Sequence, residues 1–437
     1  TIYRNVKKLK AASILEIDLS KEIVEIKPVS YKWWSYEELI TSSINNQLTD
    51  KEQILEELEK TLTNVVSSQA IADVPIGCFL SGGIDSSLVV SLLSKINKKE
   101  INTFTIGFKE KKYSEAEEAS KIAKHLGTKH TEIILEQKDA INLVHKLPNI
   151  YSEPFADSSQ LPTSLICSEA KKSGLSVVLT GDGGDEIFGG YPIPYAVYLS
   201  EFYKRTPKAI REKLGTLGSK IDIKKLPRQM RWLLRFNELS LMNFDQLNSS
   251  FCLNNAWGSE TDESKITSVQ SSKTLTHRIL LSEIDDRMIN DYLVKVDMST
   301  MAHSIEGRSP FLDYRIAEFG FSIPENLIFH RLTRKSILKK ISESYFDKNF
   351  IHRRKMGFSI PLSKWLSEPE YIDLVKRFSE ESLLLPKLIE KEKIYSTIIA
   401  FQSNPNHNAS KVWSLLWLTL WEKLFITKSI DRKTRLS

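Results

Sequence analysis

Residues 79–93, FLSGGIDSSLVVSLL, join an apolar run, a Ser-Gly-Gly turn and a second apolar run with helical spacing. This order predicts a buried strand, a tight turn and the first turns of a helix. Gly82 and Gly83 let the backbone pass close to an anion and turn N–H groups toward it. The positive end of the following helix faces the same point. The stretch therefore predicts a phosphate-binding loop.

This loop lacks the lysine of the common phosphate loop G-x-x-x-x-G-K-S/T, which reaches a γ-phosphate. The hydroxyls of Ser81, Ser86 and Ser87 supply donors instead. Such a loop suits pyrophosphate held as a unit, the group that leaves when ATP is cut at its α-phosphate. Asp85 would repel phosphate unless a divalent cation lay between them, so its presence predicts Mg²⁺.

An alternation of strands and helices surrounds the loop. The apolar segments PIGCFL, INTFTIGF, HTEIIL and LSVVLT are separated by helical patterns, one of them with Ser114 as the expected N-cap and Gly127 at its end. This rhythm predicts parallel strands with right-handed crossovers, and hence an open, doubly wound α/β sheet over about residues 71–195. Residues 49–70 have helical periodicity, and beyond about residue 200 the chain is predicted to be helical.

A second loop, within VVLTGDGGDEIFGGY (177–191), concentrates glycines and acids after an apolar strand. A metal–phosphate site at the carboxyl edge of the sheet explains this density, because open α/β sheets bind ligands at that edge. Asp85 and Asp185 are then expected to share one Mg²⁺ with pyrophosphate. The D-x-D/N-x-D/N-G ladder of a calcium loop is absent here.

Composition sets wider bounds. The chain has 437 residues, 41% hydrophobic and 27% charged, and a formal net charge of +6. It contains no run of 18 apolar residues, so no membrane span is predicted. Three cysteines far apart, Cys78, Cys167 and Cys252, fit a reducing cytoplasm and argue against a structural zinc site.

Three further segments carry weaker signals. Residues 1–34 contain two alternating runs joined at Ser20-Lys21, which predict a hairpin. Residues 204–235 carry eleven Lys or Arg, and we interpret them as a solvated or substrate-steering face rather than an RNA-binding arm, since only one aromatic residue lies there. Trp413, Trp417 and Trp421 are spaced as one stripe of a helix, which favours core packing over a cofactor site.

Six stretches together resemble the synthetase domain of the glutamine-dependent asparagine synthase family. In chain order they are DVPIGCFLSGGIDSSLV, TFTIGF, SEPFADSSQLP, LTGDGGDEIFGGY, KVDMSTMAHSIEGRSPFLD and RRKMGFSIPLSKWL. The resemblance implies a doubly wound parallel sheet of the ATP pyrophosphatase (adenine nucleotide alpha hydrolase-like) type, with a large helical C-terminal part at about 200–437. It also implies one domain over residues 35–437, preceded by a remnant hairpin at 1–34.

The resemblance implies a reaction and its cofactors. A substrate carboxylate, expected to be the side chain of L-aspartate, attacks the α-phosphate of ATP to give an acyl-adenylate and Mg-pyrophosphate. Ammonia then displaces AMP to form the amide. Alternatives are relatives that amidate sugars or peptides or close lactam rings, and tRNA-modifying ATP pyrophosphatases, which share the loop. A non-catalytic scaffold is disfavoured because Asp85, Asp185 and Lys355 are all present.

The family motifs also imply site residues in this chain. Those expected to bind nucleotide are Ser81, Gly82, Gly83, Asp85 and Ser86 at the pyrophosphate, and Leu80, Ile106 and Gly181 at the adenosine. Those expected to bind Mg²⁺ are Asp85 and Asp185.

Four further residues are expected to serve catalysis. Lys355 would neutralise charge on the α-phosphate, with a surface cation in a basic run as the alternative. Glu306 and Arg308 would lie near the amino-acid substrate, with a salt bridge from Arg308 to Asp313 as the alternative. Asp182 stands where some relatives carry a Glu with an acid–base role, so its own role is left open.

Partners follow from the same resemblance. Family members that hydrolyse glutamine use an N-terminal Cys on a separate glutaminase domain, whereas residue 1 here is Thr and the hairpin resembles only the last strands of that domain. Ammonia is therefore expected directly, or from a glutaminase domain or partner subunit. Neither a nucleic acid nor a membrane is expected as a partner, and a homodimer is left open.

Overall fold

The computed structural model describes residues 1–20, 27–35, 50–97, 99–144, 146–218, 239–240, 242, 246, 274–330, 333–353 and 360–429. Its centre is a five-stranded parallel sheet, and helices account for most of the remaining described chain. The predicted α/β class is confirmed.

The sheet is built from short strands at the predicted apolar segments. They are β3 (Ile76–Phe79), β4 (Asn102–Phe108), β5 (Lys129–Leu135), β6 (Val177–Leu179) and β7 (Glu306–Arg308). Their spatial order is β5-β4-β3-β6-β7, and every neighbouring pair is parallel. From β3 the chain adds β4 and β5 on one side of the sheet and then β6 and β7 on the other side. The loops that follow β3 and β6 therefore meet at the topological switch point, where ligands bind such sheets.

Helices precede this sheet and connect its strands. They are α1 (Lys51–Gln69), α2 (Ile84–Ile96), α3 (Ala116–Leu126), α4 (Gln137–Val144), α5 (Pro148–Tyr151), α6 (Gln160–Lys172), α7 (Gly184–Ile187), α8 (Pro192–Tyr203) and α9 (Lys208–Gly218). Gly127 ends α3 in the left-handed conformation, as predicted. The predicted N-cap is wrong by one residue: Glu115 occupies that position, and Ser114 only accepts a 3.4 Å hydrogen bond from the Ala116 N–H.

The fifth strand corrects the expectation that strands end near residue 195. Residues 306–308 pair with β6 through the register Val177–Glu306 and Leu179–Arg308. The strand is only three residues long and contains two charged side chains, so neither length nor apolar pattern marks it. The predicted nucleotide-binding core is thus completed by a segment from the part of the chain expected to be helical.

The remaining described elements are helical, as predicted. They are α10 (Leu275–Glu283), a π-helix (Ile284–Tyr292), α11 (Leu293–Ala302), a 3₁₀ turn (Pro310–Leu312), α12 (Tyr314–Ser322), α13 (Glu325–Ile328), α14 (Ser336–Ser342), α15 (Lys348–His352), α16 (Leu362–Leu366), α17 (Pro369–Glu381), α18 (Leu385–Leu388), α19 (Lys391–Ser403) and α20 (Pro405–Phe425). Trp413, Trp417 and Trp421 lie on α20 and are at most 5% exposed, which confirms their prediction as core residues.

Two antiparallel strands, β1 (Ser13–Glu16) and β2 (Val29–Lys32), form the predicted hairpin near the N-terminus. The pairing joins Ser13 with Lys32, so the second strand begins later than its sequence pattern indicated; residues 21–26 lie outside the described part. Among the described residues, no helix combines the length and the apolar character that a membrane crossing requires.

Candidate active site

The Ser-Gly-Gly loop follows β3 and leads directly into α2, as the sequence predicts. Gly83 is the N-cap of α2, and Asp85 and Ser86 lie buried in its first turn. Ser81 Oγ lies 3.0 Å from Ser86 Oγ and accepts a 3.3 Å bond from the Gly83 N–H. The loop therefore folds around its own hydroxyls at the positive end of a thirteen-residue helix, which favours an anionic ligand.

The acidic loop after β6 packs against the same helix start. A side-chain carbon added at Gly184 would lie 2.6 Å from Asp85 Oδ1, and one at Gly181 would lie 2.6 Å from the Ser86 nitrogen. Both distances are too short for a carbon atom. Gly181 is therefore required, because it meets the backbone of α2, and a side chain at Gly184 would displace the Asp85 carboxylate. The density of glycine in GDGGDE thus has a physical cause: it lets two ligand-binding loops touch.

Lys335 bridges the two aspartates predicted to bind metal, and sequence reasoning missed it. Its ammonium lies 2.5 Å from Asp85 Oδ2 and 2.6 Å from Asp185 Oδ1. All three side chains are at most 14% exposed. Lys335 also precedes α14 with φ +53°, a left-handed conformation that costs a non-glycine residue energy and is found at functional sites.

Further cations line the pocket that opens onto these groups. Arg334, Lys339 and Arg353 share it with Asp85, Asp185 and Lys335. Burial, with the nearby positive charges of Arg334 and Lys335, lowers the pKa of Lys339. So many positive groups beside a glycine loop make the pocket complementary to a polyanion such as pyrophosphate.

The two aspartates form a set of donors that fits Mg²⁺. Both carboxylates approach one point, at which the Lys335 ammonium now lies. No group of three metal-ligating side chains occurs among the described residues, so the protein alone offers an incomplete shell there. Mg²⁺ is commonly bound by one or two carboxylates together with substrate phosphates. The donor set is consistent with that mode.

A second buried charge cluster is formed around Lys295. Lys295 donates 2.8 Å bonds to Asp157 Oδ2 and Ser159 Oγ. The negative charge of Asp157 raises the pKa of Lys295 against the opposing effect of burial, and Asp182 contributes in the same direction. Burial, followed by the charge of Asp157, raises the pKa of Asp291 to about 6. Asp291 belongs to the π-helix, an element frequent at functional sites.

The residues expected at the adenosine lie at the end of the central strands. Leu80 directly follows β3 and is buried, with its N–H bonded to Phe104 O at 2.8 Å. Ile106 is buried within β4 opposite Ile133 of β5. Both side chains are buried, and their contact with a base stays a prediction.

Glu306 and Arg308 lie on β7, apart from the group around Lys335. Arg308 pairs with Glu306 at 2.8 Å and donates to the backbone oxygens of Gln69 and Ile71 at 2.6 and 2.8 Å. Asp313, the expected partner in the alternative of a structural salt bridge, instead pairs with Arg315 at 2.8 Å. Arg308 does form such a salt bridge, but with Glu306, so only the predicted partner is wrong. These contacts tie β7 to the end of α1, and a substrate-binding role for either residue stays a prediction.

Some predicted features fall outside the described part of the chain. Lys355 is one of them, and so are residues 219–235 of the basic stretch and Cys252. Their assignments stay predictions. The other two cysteines, Cys78 and Cys167, are buried and free.

Comparison with known proteins adds a family to this geometry. A family model described as "Asparagine synthase" matches residues 57–423. A glutamine-hydrolyzing asparagine synthetase of Bacillus subtilis is 28% identical over 87% of this chain and 61% of its own length. A putative enzyme of the same description from Mycobacterium tuberculosis is 27% identical over 98% of this chain and 66% of its own length. A third from Methanocaldococcus jannaschii is 37% identical over 52% of this chain. The chain thus spans about three fifths to two thirds of the first two relatives.

Proposed function

Because this chain belongs to the asparagine synthase family, we propose that it is an ATP-dependent ligase that forms an amide. An acceptor carboxylate attacks the α-phosphate of ATP and forms an acyl-adenylate, with pyrophosphate as the leaving group. Ammonia then attacks the acyl carbon, AMP leaves, and one proton is released. L-aspartate is the acceptor that we propose, in keeping with the name of the relatives.

One observation carries this proposal: Lys335 and the aspartates Asp85 and Asp185 converge beside the Ser-Gly-Gly loop. The arrangement supplies backbone N–H groups for the leaving pyrophosphate and a buried cation next to them. Mg²⁺, when bound by the two carboxylates and the phosphates, would offset the negative charge of the leaving group. Lys355 is proposed to act at the α-phosphate.

The acceptor is proposed to bind on the other side of the acidic loop. Asp182 belongs to that loop, and its charge helps to raise the pKa of Lys295, which is paired with Asp157. A carboxyl group close to a fixed cation suits a residue that orients the acceptor or accepts a proton from the attacking nitrogen. Buried charged residues are costly even when they are paired, and they occur often at functional sites.

The nitrogen source is proposed to involve a second domain or subunit. The hairpin segment exposes large apolar side chains, among them Leu19 (82%), Val29 (57%) and Trp33 (56%). An isolated two-stranded hairpin is marginal in water, and exposed apolar patches mark interaction sites. We propose that this surface receives a glutaminase domain, as in proteins described as glutamine-hydrolyzing.

The test is the identity of the products. Purified protein supplied with Mg-ATP, L-aspartate and ammonium should release pyrophosphate and AMP in equal amounts, with asparagine as the amide product. Replacing aspartate with other carboxylates defines the acceptor, and Asp85→Asn serves as the inactive control. Release of ADP and phosphate would refute the ligase mechanism, and amidation of another acid alone would refute the acceptor.

A further inference from the structure

Arg353 joins two segments that the reaction scheme does not connect. It follows α15, and its guanidinium donates from Nη2 to the Gly82 backbone oxygen and from Nη1 to Glu115 Oε1, the latter at 3.2 Å. The Arg353 and Glu115 side chains are only 18% and 9% exposed. A bidentate, largely buried guanidinium is held in one orientation and fixes the groups that it binds.

The carbonyl that Arg353 binds belongs to the peptide group between Gly82 and Gly83. This group is planar and trans, so its carbonyl oxygen and its N–H point in opposite directions. Binding the Gly82 oxygen on one side therefore aims the Gly83 N–H at the other side. The Gly83 N–H lies at the start of α2, where N–H groups have no partner within the helix, and it donates a 3.3 Å bond to Ser81 Oγ.

The conformation at Gly82 explains why the Gly82–Gly83 peptide needs a bond that fixes its orientation. Gly82 has φ +71°, and its Cα packs so closely on the start of α3 that an added carbon would lie 2.9 Å from the Ala119 nitrogen. A glycine pair has many accessible backbone conformations, so the peptide between them can rotate unless something holds it. Arg353, bonded to both Glu115 and the Gly82 oxygen, acts as a clamp on this peptide, and Glu115, the N-cap of α3, is its fixed end.

We propose that Arg353 is a positioning residue which, anchored by Glu115, holds the Gly82–Gly83 peptide with its N–H directed at the pyrophosphate. This deepens the proposed function and rests on it. The rival role is direct contact of the Arg353 charge with phosphate, since Arg353 lines the same pocket as Lys335. The two roles differ in what Glu115 does: it supports binding in the first and competes with phosphate for Arg353 in the second.

Arg353→Lys and Glu115→Gln separate these roles. A lysine keeps the charge but cannot reach both the Gly82 oxygen and Glu115 in a fork. Each variant should bind Mg-pyrophosphate about tenfold more weakly in calorimetry, whereas its affinity for AMP stays within about twofold. The double variant should also lose about tenfold, not about a hundredfold, because both changes break one unit.

Glu110→Gln is the matched control. Glu110 lies on the same connection between β4 and α3, and its partner Lys364, at 2.8 Å, is 64% exposed. This variant should bind both ligands as the unchanged protein does. Wild-type affinity in Arg353→Lys, or tighter pyrophosphate binding in Glu115→Gln, would overturn the clamp. Equal losses for AMP and pyrophosphate would also overturn it, since they indicate general loosening. Failure of the unchanged protein to bind Mg-pyrophosphate would instead refute the proposed function.

Discussion

Lys335 has the same position that a metal ion would need between Asp85 and Asp185. Its ammonium neutralises two carboxylates that would otherwise repel each other. When phosphates and a cation enter, we expect the ammonium to move toward the phosphates. One lysine would then stabilise the empty site and assist the leaving group in the filled one.

Replacing Lys335 with Ala should expose this double role. Removal of one partner from a buried ionic group typically costs about 3–5 kcal/mol of stability, because charge is left uncompensated. Millimolar Mg²⁺ should restore much of the melting temperature of Lys335→Ala, since the two carboxylates can then bind the ion, and it should affect the unchanged protein less. Differential scanning fluorimetry with and without Mg²⁺ measures both effects.

The control for this experiment is Lys340→Ala. Lys340 pairs with Glu343 at 2.7 Å, but the two side chains are 47% and 31% exposed. Such surface pairs contribute about 0–1 kcal/mol, so little change is expected with or without Mg²⁺. If Lys335→Ala has the melting temperature of the unchanged protein and Mg²⁺ does not alter it, the ion pairs of Lys335 do not stabilise the fold.

Lys355 is assigned a different task. If it meets the α-phosphate only as charge develops there, Lys355→Ala should slow adenylate formation about 10²–10³-fold and leave ATP binding nearly intact. Lys355→Arg should not restore the rate, since a planar guanidinium differs in shape from a compact ammonium. Single-turnover AMP formation and nucleotide affinity measure the two effects. A near-normal rate in Lys355→Ala would identify it as a surface cation.

How far the sequence predicts this site depends on which residues build it. The loops around Gly82 and Gly184 were predictable because close backbone approach demands glycine and because acids after apolar strands are costly without a ligand. Lys335 gave no such signal: RLTRKSILKK has the basic pattern of an ordinary exposed helix. Its importance arises from its left-handed backbone conformation and from its contact with Asp85, which is 250 residues away in the sequence. Neither feature produces a recognisable pattern in the neighbouring sequence.

The strands and helices follow a similar division. The sequence predicts β3, β4 and β6 because each is largely apolar and buried, which gives a continuous hydrophobic run. Strand β5 lies at the edge of the sheet and is partly exposed, and its apolar end at residues 133–135 marks it. Strand β7 was missed because it is held by its neighbour β6 and by the bonds of Arg308 to the end of α1. Tertiary contacts, rather than local preference, decide its conformation.

The π-helix carries a pH-dependent contribution through Asp291. Burial and then the charge of Asp157 raise the pKa of Asp291 from 3.8 to about 6. An acid with a raised pKa binds its proton more tightly in the folded chain than in the unfolded chain. The proton on Asp291 therefore contributes to the free energy of unfolding, fully below pH of about 4, and this contribution is lost as pH rises through about 6. At neutral pH the ionised Asp291 therefore destabilises the fold.

Asp291→Asn should remove this penalty, because an amide cannot ionise and can still donate to Asp157. The variant should raise the free energy of unfolding by about 1–2 kcal/mol at pH of about 7.5, and by much less at pH of about 5. Urea denaturation at both pH values gives the difference. Asp373→Asn, at an exposed site on α17, should show no such dependence on pH. An equal change for Asp291→Asn at both pH values would contradict the assignment.

The arrangement of the molecule places the proposed nucleotide site at the carboxyl edge of the sheet and exposed apolar side chains at the hairpin. Hydrolysis of glutamine to supply ammonia would need a reactive nucleophile such as a thiolate. Among the described residues, the cysteines are Cys78 and Cys167, and burial raises the pKa of each thiol to about 12. Neither thiol is therefore suited to nucleophilic attack at neutral pH.

The 437-residue chain alone should consequently use ammonium and not glutamine. With Mg-ATP and aspartate, ammonium should give steady AMP release, and the rate should rise with pH because only the neutral ammonia is nucleophilic. Glutamine at the same concentration should give no amide above background until a glutaminase domain is added. Cys252→Ser tests the remaining thiol and should leave the ammonium-dependent rate unchanged. Glutamine-dependent amide formation by the chain alone would show that it carries its own glutaminase nucleophile, and loss of that activity in Cys252→Ser would identify it.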